Sequence, residues 1–254
     1  MIFFFETHRH IEHIVSLYKT LKLCVLCVYV FQKNLYVQKK IFMLKLKIKA
    51  SHITNLTDAR YFAAKEVEWL SFNFTEKTDN YIEHTRARAM FDWVEVPHIV
   101  GEFEDFDAEA VNFYAENWGL KAVEVGATTE VFDLKSDYIL KKIVVNTATT
   151  AKILRGQLEP FTNIVAAFEL DFQDHKITFS DLKNGKHPLS INDLLGLFED
   201  FKIILNIDFP LVELENILDL TPFGLSLKGG EEERVGVKSY DELDDIFDKL
   251  EIFT

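Results

Sequence analysis

Cysteine is almost missing from this chain of 254 residues: Cys24 and Cys27 are the only two, and both precede residue 43. The rest of the sequence therefore has no disulfide framework, which is typical of a protein in a reducing cytoplasm. The two cysteines form a Cys-x-x-Cys pair, which can serve redox chemistry or bind a metal, but no second ligand pair accompanies it. The histidines lack the paired helical spacing of zinc sites, so we expect neither a metal nor an organic cofactor.

Glycine (10 residues) and proline (5) are also sparse, whereas 48% of the residues are hydrophobic. This composition is globular, and the chain is long enough to bury a sizeable core. The apolar run at residues 24–31 is too short to cross a bilayer. Net positive charge is lacking too: the formal charge is −13, so the chain has no basic field to attract nucleic acids or anionic membranes. We expect neither as a partner.

Residues 1–42 differ in charge from the remainder. They carry six basic residues against two acidic ones, a charge of +4, which leaves −17 for the rest of the chain. No cleavage site of small residues follows the apolar run, so a secretory signal is not predicted. We interpret residues 1–42 as an extension outside the fold and residues 43–254 as the folded domain. An amphipathic membrane anchor is the alternative interpretation of the extension.

Short β-rich runs alternate with helical stretches from Leu44 onward. The predicted strands are Leu44–Ala50, Glu68–Phe74, His98–Phe103, Ala122–Val125, Ile139–Val145, Asn163–Leu170, Lys202–Asn206 and Phe223–Leu227. The predicted helices are Thr57–Lys65, Ile82–Phe91, Asp107–Trp118, Thr129–Leu134, Thr149–Leu158, Ile191–Phe198, Val212–Leu218 and Tyr240–Leu250. The predicted N-terminal caps are Thr57, Asp107, Thr128, Ser190 and Ser239.

Eight β units that alternate with eight α units predict a single-domain (β/α)8 barrel. The alternative, an open doubly wound sheet, favours a glycine-rich loop after the first strand, where this chain has Ser51-His52-Ile53. The connection from Phe172 to Lys186 is long and contains a strand-like run, Lys176–Phe179, so we expect it to cover the mouth of the barrel as a lid. In such barrels the active site lies at the carboxyl ends of the strands.

Three stretches occur in an informative order. They are Ile53-Thr-Asn-Leu-Thr-Asp-Ala59, then Leu70–Phe74 followed by Lys77 and Tyr81-Ile82, and finally Gly224–Lys238 with its Lys-Gly-Gly turn. In order and spacing they resemble phosphoribosylanthranilate isomerase, a barrel enzyme of tryptophan biosynthesis, whose motifs read CGITNLEDA, LGFNFYPKSPRYI and GVDVSSGVE…PGVK. The resemblance covers residues 44–254 and implies a (β/α)8 barrel with its site at the strand ends.

The resemblance implies an Amadori rearrangement, in which an aminoaldose phosphate becomes an aminoketose phosphate. This reaction needs an acid for the ring oxygen and a base for the C2 proton. Asp171 matches the aspartate of the family's LLD motif and is the predicted acid. Ser51 occupies the position of the family's cysteine base, but a serine hydroxyl does not ionise comparably without a partner base. His52 is the alternative base because of its intrinsic pKa, although neighbours on a strand point to opposite faces.

The same resemblance implies the binding residues. Lys228-Gly229-Gly230 is the predicted phosphate site, because glycine lets backbone N–H groups turn toward an anion and Lys228 adds a charge. An ordinary Gly-Gly turn is the alternative. Asn73, Asn80 and Glu124 are the predicted substrate contacts, with Asn80 in place of the family's arginine and Glu124 in place of its glutamine. The expected ligand is a phosphorylated sugar or an anthranilate derivative.

Two functions are open at this point. The first is a divergent isomerase that acts through Asp171 with Ser51 or His52. The second is a non-catalytic barrel that binds a phosphorylated metabolite or a partner protein. The resemblance favours the first function, whereas the replaced cysteine and arginine favour the second, and a shared fold cannot decide between them.

Overall fold

The computed structural model of the protein describes residues 43–96, 98–230, 232–234 and 237–252. The predicted extension over residues 1–42, with its two cysteines, lies outside the described residues. Parts of the predicted phosphate loop, at residues 231, 235 and 236, lie outside them as well. Residues 44–252 form one compact unit.

Eight parallel strands close into a barrel, which confirms the predicted (β/α)8 class and excludes an open sheet. The strands are β1 (Lys47–Ser51), β2 (Trp69–Asn73), β3 (His98–Phe103), β4 (Ala122–Val125), β5 (Tyr138–Val144), β6 (Ala167–Asp171), β7 (Ile203–Asn206) and β8 (Gly224–Lys228). The ring closes where β1 pairs with β8 in parallel, from Lys47 opposite Gly224 to Ser51 opposite Lys228. Closure leaves no strand edge of the barrel unpaired.

Helices follow most of the strands. They are α1 (Leu56–Ala64), α2 (His84–Phe91), α3 (Ala108–Trp118), α4 (Ala151–Leu158), α5 (Phe179–Lys183), α6 (Ile191–Asp200), α7 (Leu214–Asp219) and α8 (Asp241–Leu250). Short 3-10 helices span Val131–Asp133, Glu159–Phe161 and Leu211–Glu213, and short strands span Met43–Leu44, Glu232–Arg234, Val237–Lys238 and Glu251–Ile252. The predicted helix at 129–134 is thus only a 3-10 turn.

The capping predictions were right at two helices and wrong at three. Asp107 and Ser190 cap α3 and α6 as predicted. Helix α1 begins after Asn55, whose side chain accepts a hydrogen bond from the backbone N of Asp58 at 2.9 Å, so Thr57 lies inside the helix. Thr128 and Ser239 precede the actual cap positions in the chain. The cap residues are Glu130, before the 3-10 helix Val131–Asp133, and Tyr240, before α8, and neither side chain makes a capping hydrogen bond.

The connection after β6 contains a helix rather than the predicted strand at Lys176–Phe179. Thr178 caps α5 reciprocally with Asp181: each backbone N donates to the other residue's side chain, at 3.1 and 3.3 Å. This capping box fixes a helix start at Phe179, and its local hydrogen bonds outweigh the β propensity of the run. The first residues of the connection, Gln173 and Asp174, lie in the wall of the cavity at the barrel mouth.

The interior of the barrel has two layers, because alternate strand residues point inward. The lower layer is apolar, with each member at most 1% exposed, and it is separate from the main core between strands and helices. Its members are Trp69, Val100, Ala122, Leu140, Ala167 and Ile204. The upper layer lies nearer the carboxyl ends of the strands and is charged. Its members are Lys49, Glu102, Glu124, Lys142 and Glu169.

Candidate functional site

A cavity of about 340 Å³ opens at the carboxyl ends of the barrel strands, within the size range of small-molecule sites. Its wall includes seven of the nine predicted site residues: Ser51, His52, Asn73, Asn80, Glu124, Asp171 and Lys228. The structure therefore brings these residues to one place. Gly229 and Gly230, which follow Lys228, lie outside the wall.

Ser51 ends β1 and is only 2% exposed. Its hydroxyl donates to the carbonyl oxygen of Leu227 at 3.3 Å and accepts from the hydroxyl of Ser226, also at 3.3 Å. Neither partner can remove a proton from the serine, since a general base needs a pKa near the working pH. The contacts of Ser51 are those of a packed hydroxyl and not of an activated nucleophile or base.

His52 lines the same cavity as Ser51, which strand alternation alone does not predict. The chain has already left the strand at this point, because His52 adopts a left-handed backbone conformation with φ 59°. Partial desolvation lowers the pKa of the His52 imidazole, and Lys228, Lys49 and Lys142 lower it further, against the opposing effect of Glu102. The imidazole is therefore neutral at neutral pH and able to accept a proton.

Asp171 ends β6, and its carboxylate is heavily engaged. One oxygen lies 2.9 Å from Nζ of Lys142, and the other accepts from the backbone N of Gln173 at 2.9 Å and of Asp174 at 3.4 Å. Burial opposes the charge of Lys142, but Asp171 and the nearby glutamates outweigh it and raise the pKa of that lysine. Asp171 thus accepts hydrogen bonds from one ammonium group and two backbone N–H groups, and its role as the acid stays a prediction.

The centre of the upper layer is one ammonium surrounded by three carboxyl groups. Nζ of Lys49 lies 2.5 Å from Glu124, 2.5 Å from Glu169 and 3.0 Å from Glu102. Burial disfavours the charge of Lys49, but the three carboxylates together raise its pKa well above the usual value. One ammonium group does not balance three carboxylates in a buried site, so this arrangement favours protonation of one carboxyl.

The surroundings of Glu124 favour its protonated form. Burial and the neighbouring Glu169 raise the pKa of Glu124 well above its usual value, although Lys49 opposes the shift. Burial acts in the same direction on Glu102, but Lys49 outweighs it and lowers the pKa of that carboxyl. The pKa values of the two carboxyls are therefore shifted in opposite directions within one cavity, which is the pattern that can separate an acid from a carboxylate.

Asn73 and Asn80, the other predicted substrate contacts, bind each other. Nδ2 of Asn73 donates to Oδ1 of Asn80 at 2.9 Å and to the hydroxyl of Thr78 at 3.1 Å. Oδ1 of Asn73 accepts from the backbone N of Thr75 at 2.8 Å. These bonds shape the loop after β2, while Asn80 keeps its place in the cavity wall.

The glycine pair of the predicted phosphate site has a packing role. A Cβ on Gly229 would lie 2.6 Å from the Asp58 carboxylate, and one on Gly230 would collide with the carbonyl oxygen of Ser239. Asp58 is fully buried and accepts from Lys238 at 2.6 Å and from Tyr240 at 2.5 Å. Phosphate binding by this turn stays a prediction, and the close packing supports the alternative of a structural turn.

The wall of the cavity is strongly acidic. It contains seven carboxyl side chains, those of Asp79, Glu102, Glu104, Glu124, Glu169, Asp171 and Asp174. Only two ammonium groups line it, those of Lys142 and Lys228, and Lys142 is bound to Asp171 and Glu104. Lys228 is exposed at the rim.

Among the polar residues of the wall and floor, sequence reasoning did not single out Lys49, Lys142, Glu169 or Asn206. A signal existed in the strands, because charged residues alternate with apolar ones in Lys47-Ile-Lys-Ala-Ser51 and in Ala167-Phe-Glu-Leu-Asp171. In a barrel covered by helices, the outward-facing set is apolar, so the polar set of such a strand must face the interior.

The described part of the chain contains neither a candidate metal site nor a candidate membrane-spanning helix. No cluster of three His, Cys, Asp or Glu side chains there is arranged to hold a metal ion. None of the helices within the described ranges has the length and apolar character needed to span a bilayer.

Comparison with known proteins gives matches among solved structures alone. No protein-family model matches the sequence, and no curated protein matches it. The chain is similar to phosphoribosyl anthranilate isomerase from Thermus thermophilus, with 22% identity and a TM-score of 0.62 over 81% of this chain and 98% of that one. The resemblance seen in the sequence is thus confirmed at the level of structure.

Two further matches show how far this likeness reaches. Phosphoribosyl anthranilate isomerase in complex with reduced 1-(o-carboxyphenylamino)-1-deoxyribulose 5-phosphate is 19% identical, with a TM-score of 0.60 over 81% of this chain and 97% of that one. Thiamine phosphate pyrophosphorylase from Pyrococcus furiosus is 10% identical, with a TM-score of 0.51 over 81% and 97%. Since enzymes of different chemistry share the fold, these identities establish the barrel and not the reaction.

Proposed function

We propose that the chain is a divergent isomerase of the phosphoribosylanthranilate isomerase type, which converts an aminoaldose phosphate into an aminoketose phosphate. The observation that carries this proposal is the presence, in one cavity, of a carboxyl cluster around the Lys49 ammonium and the imidazole of His52. Aldose–ketose isomerisation requires one group that gives a proton and one that takes a proton. The resemblance adds the reaction class, with cytoplasmic tryptophan biosynthesis as its setting.

Glu124 is the proposed proton donor to the ring oxygen. Its protonated state follows from three carboxyls that share the single charge of Lys49. This role was predicted for Asp171, but the carboxylate of Asp171 lies 2.9 Å from Nζ of Lys142 and accepts from two backbone N–H groups. We therefore assign Asp171 and Lys142 to positioning of the substrate.

His52 is the proposed base for the C2 proton. The neutral imidazole lines the cavity, whereas the hydroxyl of Ser51 is bonded to the Leu227 carbonyl. Ring opening gives an iminium ion, and removal of the C2 proton from it gives an enolamine that tautomerises to the ketone. Lys228, exposed at the rim, is the proposed partner of the substrate phosphate.

A non-catalytic barrel that binds a phosphorylated metabolite is the second candidate function. The observation that favours it is the packing of Ser51, whose described contacts contain no group able to activate it. If His52 does not supply the missing base, the cavity binds a ligand without turning it over.

The deciding experiment combines growth and turnover. The chain is expressed in a strain that lacks the isomerase and is plated without tryptophan, and the purified protein is assayed for loss of phosphoribosylanthranilate. We expect slow turnover that falls about 100-fold in His52→Gln, the usual scale of a lost acid or base. Ser51→Cys should raise turnover, because a thiol near its pKa of about 8.5 ionises where a hydroxyl does not.

Asp171→Asn is the matched control for the acid. If Glu124 is the acid, Glu124→Gln should lower kcat about 100-fold, and Asp171→Asn should mainly raise KM. A complete absence of turnover in the wild type and in Ser51→Cys would favour the non-catalytic barrel.

A further inference from the structure

The cavity has an excess of negative charge and of unpaired acceptors that the resemblance to anthranilate-converting enzymes does not explain. We propose that the upper layer binds a basic amine, so that the preferred substrate is an aminoaldose phosphate whose nitrogen substituent is an aliphatic amine, and phosphoribosylanthranilate is turned over only slowly. The reaction class in this inference rests on the proposed function. The ligand preference itself is independent of turnover and is measured by binding.

The charge balance of the wall disfavours an anionic ring. Seven carboxyl side chains line the cavity against the ammonium groups of Lys142 and Lys228. Lys142 is bound to Asp171, and Lys49 beneath the wall is bound to three glutamates, so both charges are already compensated. A benzoate group placed near this layer would be repelled, whereas an ammonium group would be attracted.

Two buried amide oxygens supply the second, independent observation. Oδ1 of Asn206, a residue 4% exposed in the cavity wall, and Oε1 of Gln173 have no hydrogen-bond partner within the described residues. Their orientation is fixed by carboxylates, which only accept. Nδ2 of Asn206 donates to Glu169 at 2.9 Å, and Nε2 of Gln173 donates to Asp208 at 2.9 Å. The free atoms are therefore acceptors, and they require a donor from a ligand or from water.

Glu102 is the most exposed of the three carboxyls around Lys49. Its side chain is 13% exposed, compared with 4% for Glu124 and 3% for Glu169. An ammonium group has three donors and no acceptor, so it matches a wall that offers acceptors and negative charge. The same arrangement stabilises the positively charged iminium that forms in the proposed reaction.

The test compares ligands that differ by one group. D-glucosamine and D-glucose share a skeleton and differ in an amine, while anthranilate and D-ribose 5-phosphate supply the anionic groups. We expect millimolar glucosamine to raise the Tm of the full chain more than glucose or anthranilate does, whereas ribose 5-phosphate reports separately on the phosphate contact proposed for Lys228. Stabilisation by anthranilate without stabilisation by glucosamine would overturn the inference, as would the absence of any preference for glucosamine over glucose.

Variants locate the binding site. Glu102→Gln should weaken glucosamine binding about tenfold, the scale of one charged hydrogen bond. Gln173→Leu, which removes an acceptor without changing charge, should weaken it about threefold. Glu76→Gln changes the net charge equally on an exposed residue outside the cavity and should leave binding unchanged. Equal losses in Glu102→Gln and Glu76→Gln would show nonspecific attraction and refute the site.

The outcomes also separate this inference from the proposed function. Glucosamine binding that depends on Glu102, without turnover of phosphoribosylanthranilate, would support the amine site and count against the isomerase of the tryptophan pathway. Turnover of phosphoribosylanthranilate together with tight anthranilate binding would support the proposed function and overturn the amine site.

Discussion

The lower and upper layers of the barrel interior share strands β3 to β6, and they are stabilised in opposite ways. From β3 to β6 the step from lower to upper layer is two residues, as from Val100 to Glu102 and from Ala167 to Glu169. The lower layer gains free energy by removing apolar surface from water. The upper layer keeps charges that are costly to bury and that balance only against one another. The lower layer holds the barrel closed, which leaves the upper layer available for chemistry.

The largest expected effect is at the centre of the upper layer. Lys49→Met should lower the free energy of unfolding by about 3–5 kcal/mol, because it leaves three buried carboxyl groups without their cation. Urea denaturation at neutral pH measures the loss. The double variant Lys49→Met/Glu169→Gln should recover part of it, and a loss below about 1 kcal/mol would contradict the role of Lys49 as the shared counterion.

A comparable test of the lower layer is Leu140→Ala. Leu140 is fully buried, so its truncation should cost about 2–4 kcal/mol through lost burial and the resulting cavity. Because no ionisable group contributes, the loss should be the same at acidic and alkaline pH. The contrast between the layers would break down if the cost of Leu140→Ala changed with pH.

A smaller change in the free energy of unfolding, with a defined pH dependence, is expected for Glu124→Gln. The pKa of Glu124 is raised in the folded state, so its contribution to stability is fully present below its usual value of 4.5 and is lost as pH rises through the raised value. Gln does not titrate, so the variant should gain stability relative to the wild type as pH rises. Unfolding free energies across that range measure the difference.

Glu102→Gln is the control, because the opposite pKa shift of Glu102 predicts the opposite pH dependence of stability. Its pKa is lowered, so its contribution is present above 4.5 and is lost as pH falls through the lowered value. Glu102→Gln should therefore lose stability relative to the wild type at neutral pH and approach it at low pH. The assignment of the proton to Glu124 would fail if both variants changed in the same direction with pH.

The smallest expected effect is that of Ser51→Ala. The substitution removes hydrogen bonds with Leu227 and Ser226, both 3.3 Å long, and should cost about 1 kcal/mol of stability. Under the proposed function it should leave turnover nearly unchanged, because His52 is the base. A loss of turnover as large as that of His52→Gln would return the base role to Ser51.

Local pattern predicted the fold well, because each strand and helix carries its own periodicity. All eight strands lie within a few residues of their predicted bounds. The errors lie where a specific local bond decided the outcome, as in the Thr178–Asp181 capping box that makes a helix of a strand-like run. Propensity cannot outweigh such a bond.

The site residues at the strand ends could be predicted from the sequence, but the cluster inside the barrel could not. Ser51, Asp171 and Lys228 could be found because each lies at the end of its own strand. The cluster around Lys49 joins β1 to β3, β4 and β6 across the barrel, and sequence spacing does not show which residues meet across a closed ring. The conformation of His52 depends on a single left-handed residue, and the side-chain pattern contains no sign of it.

Gly229 and Gly230 have a consequence for how ancestry is traced in such chains. Gly230 has no room for a side chain beside the Ser239 carbonyl, and Gly229 lies against the buried carboxylate of Asp58. Mutations at both positions would be removed by selection for folding alone, whatever the chain binds. A glycine pair of this kind can persist because the fold requires it, so its presence marks common descent and does not show what the chain binds.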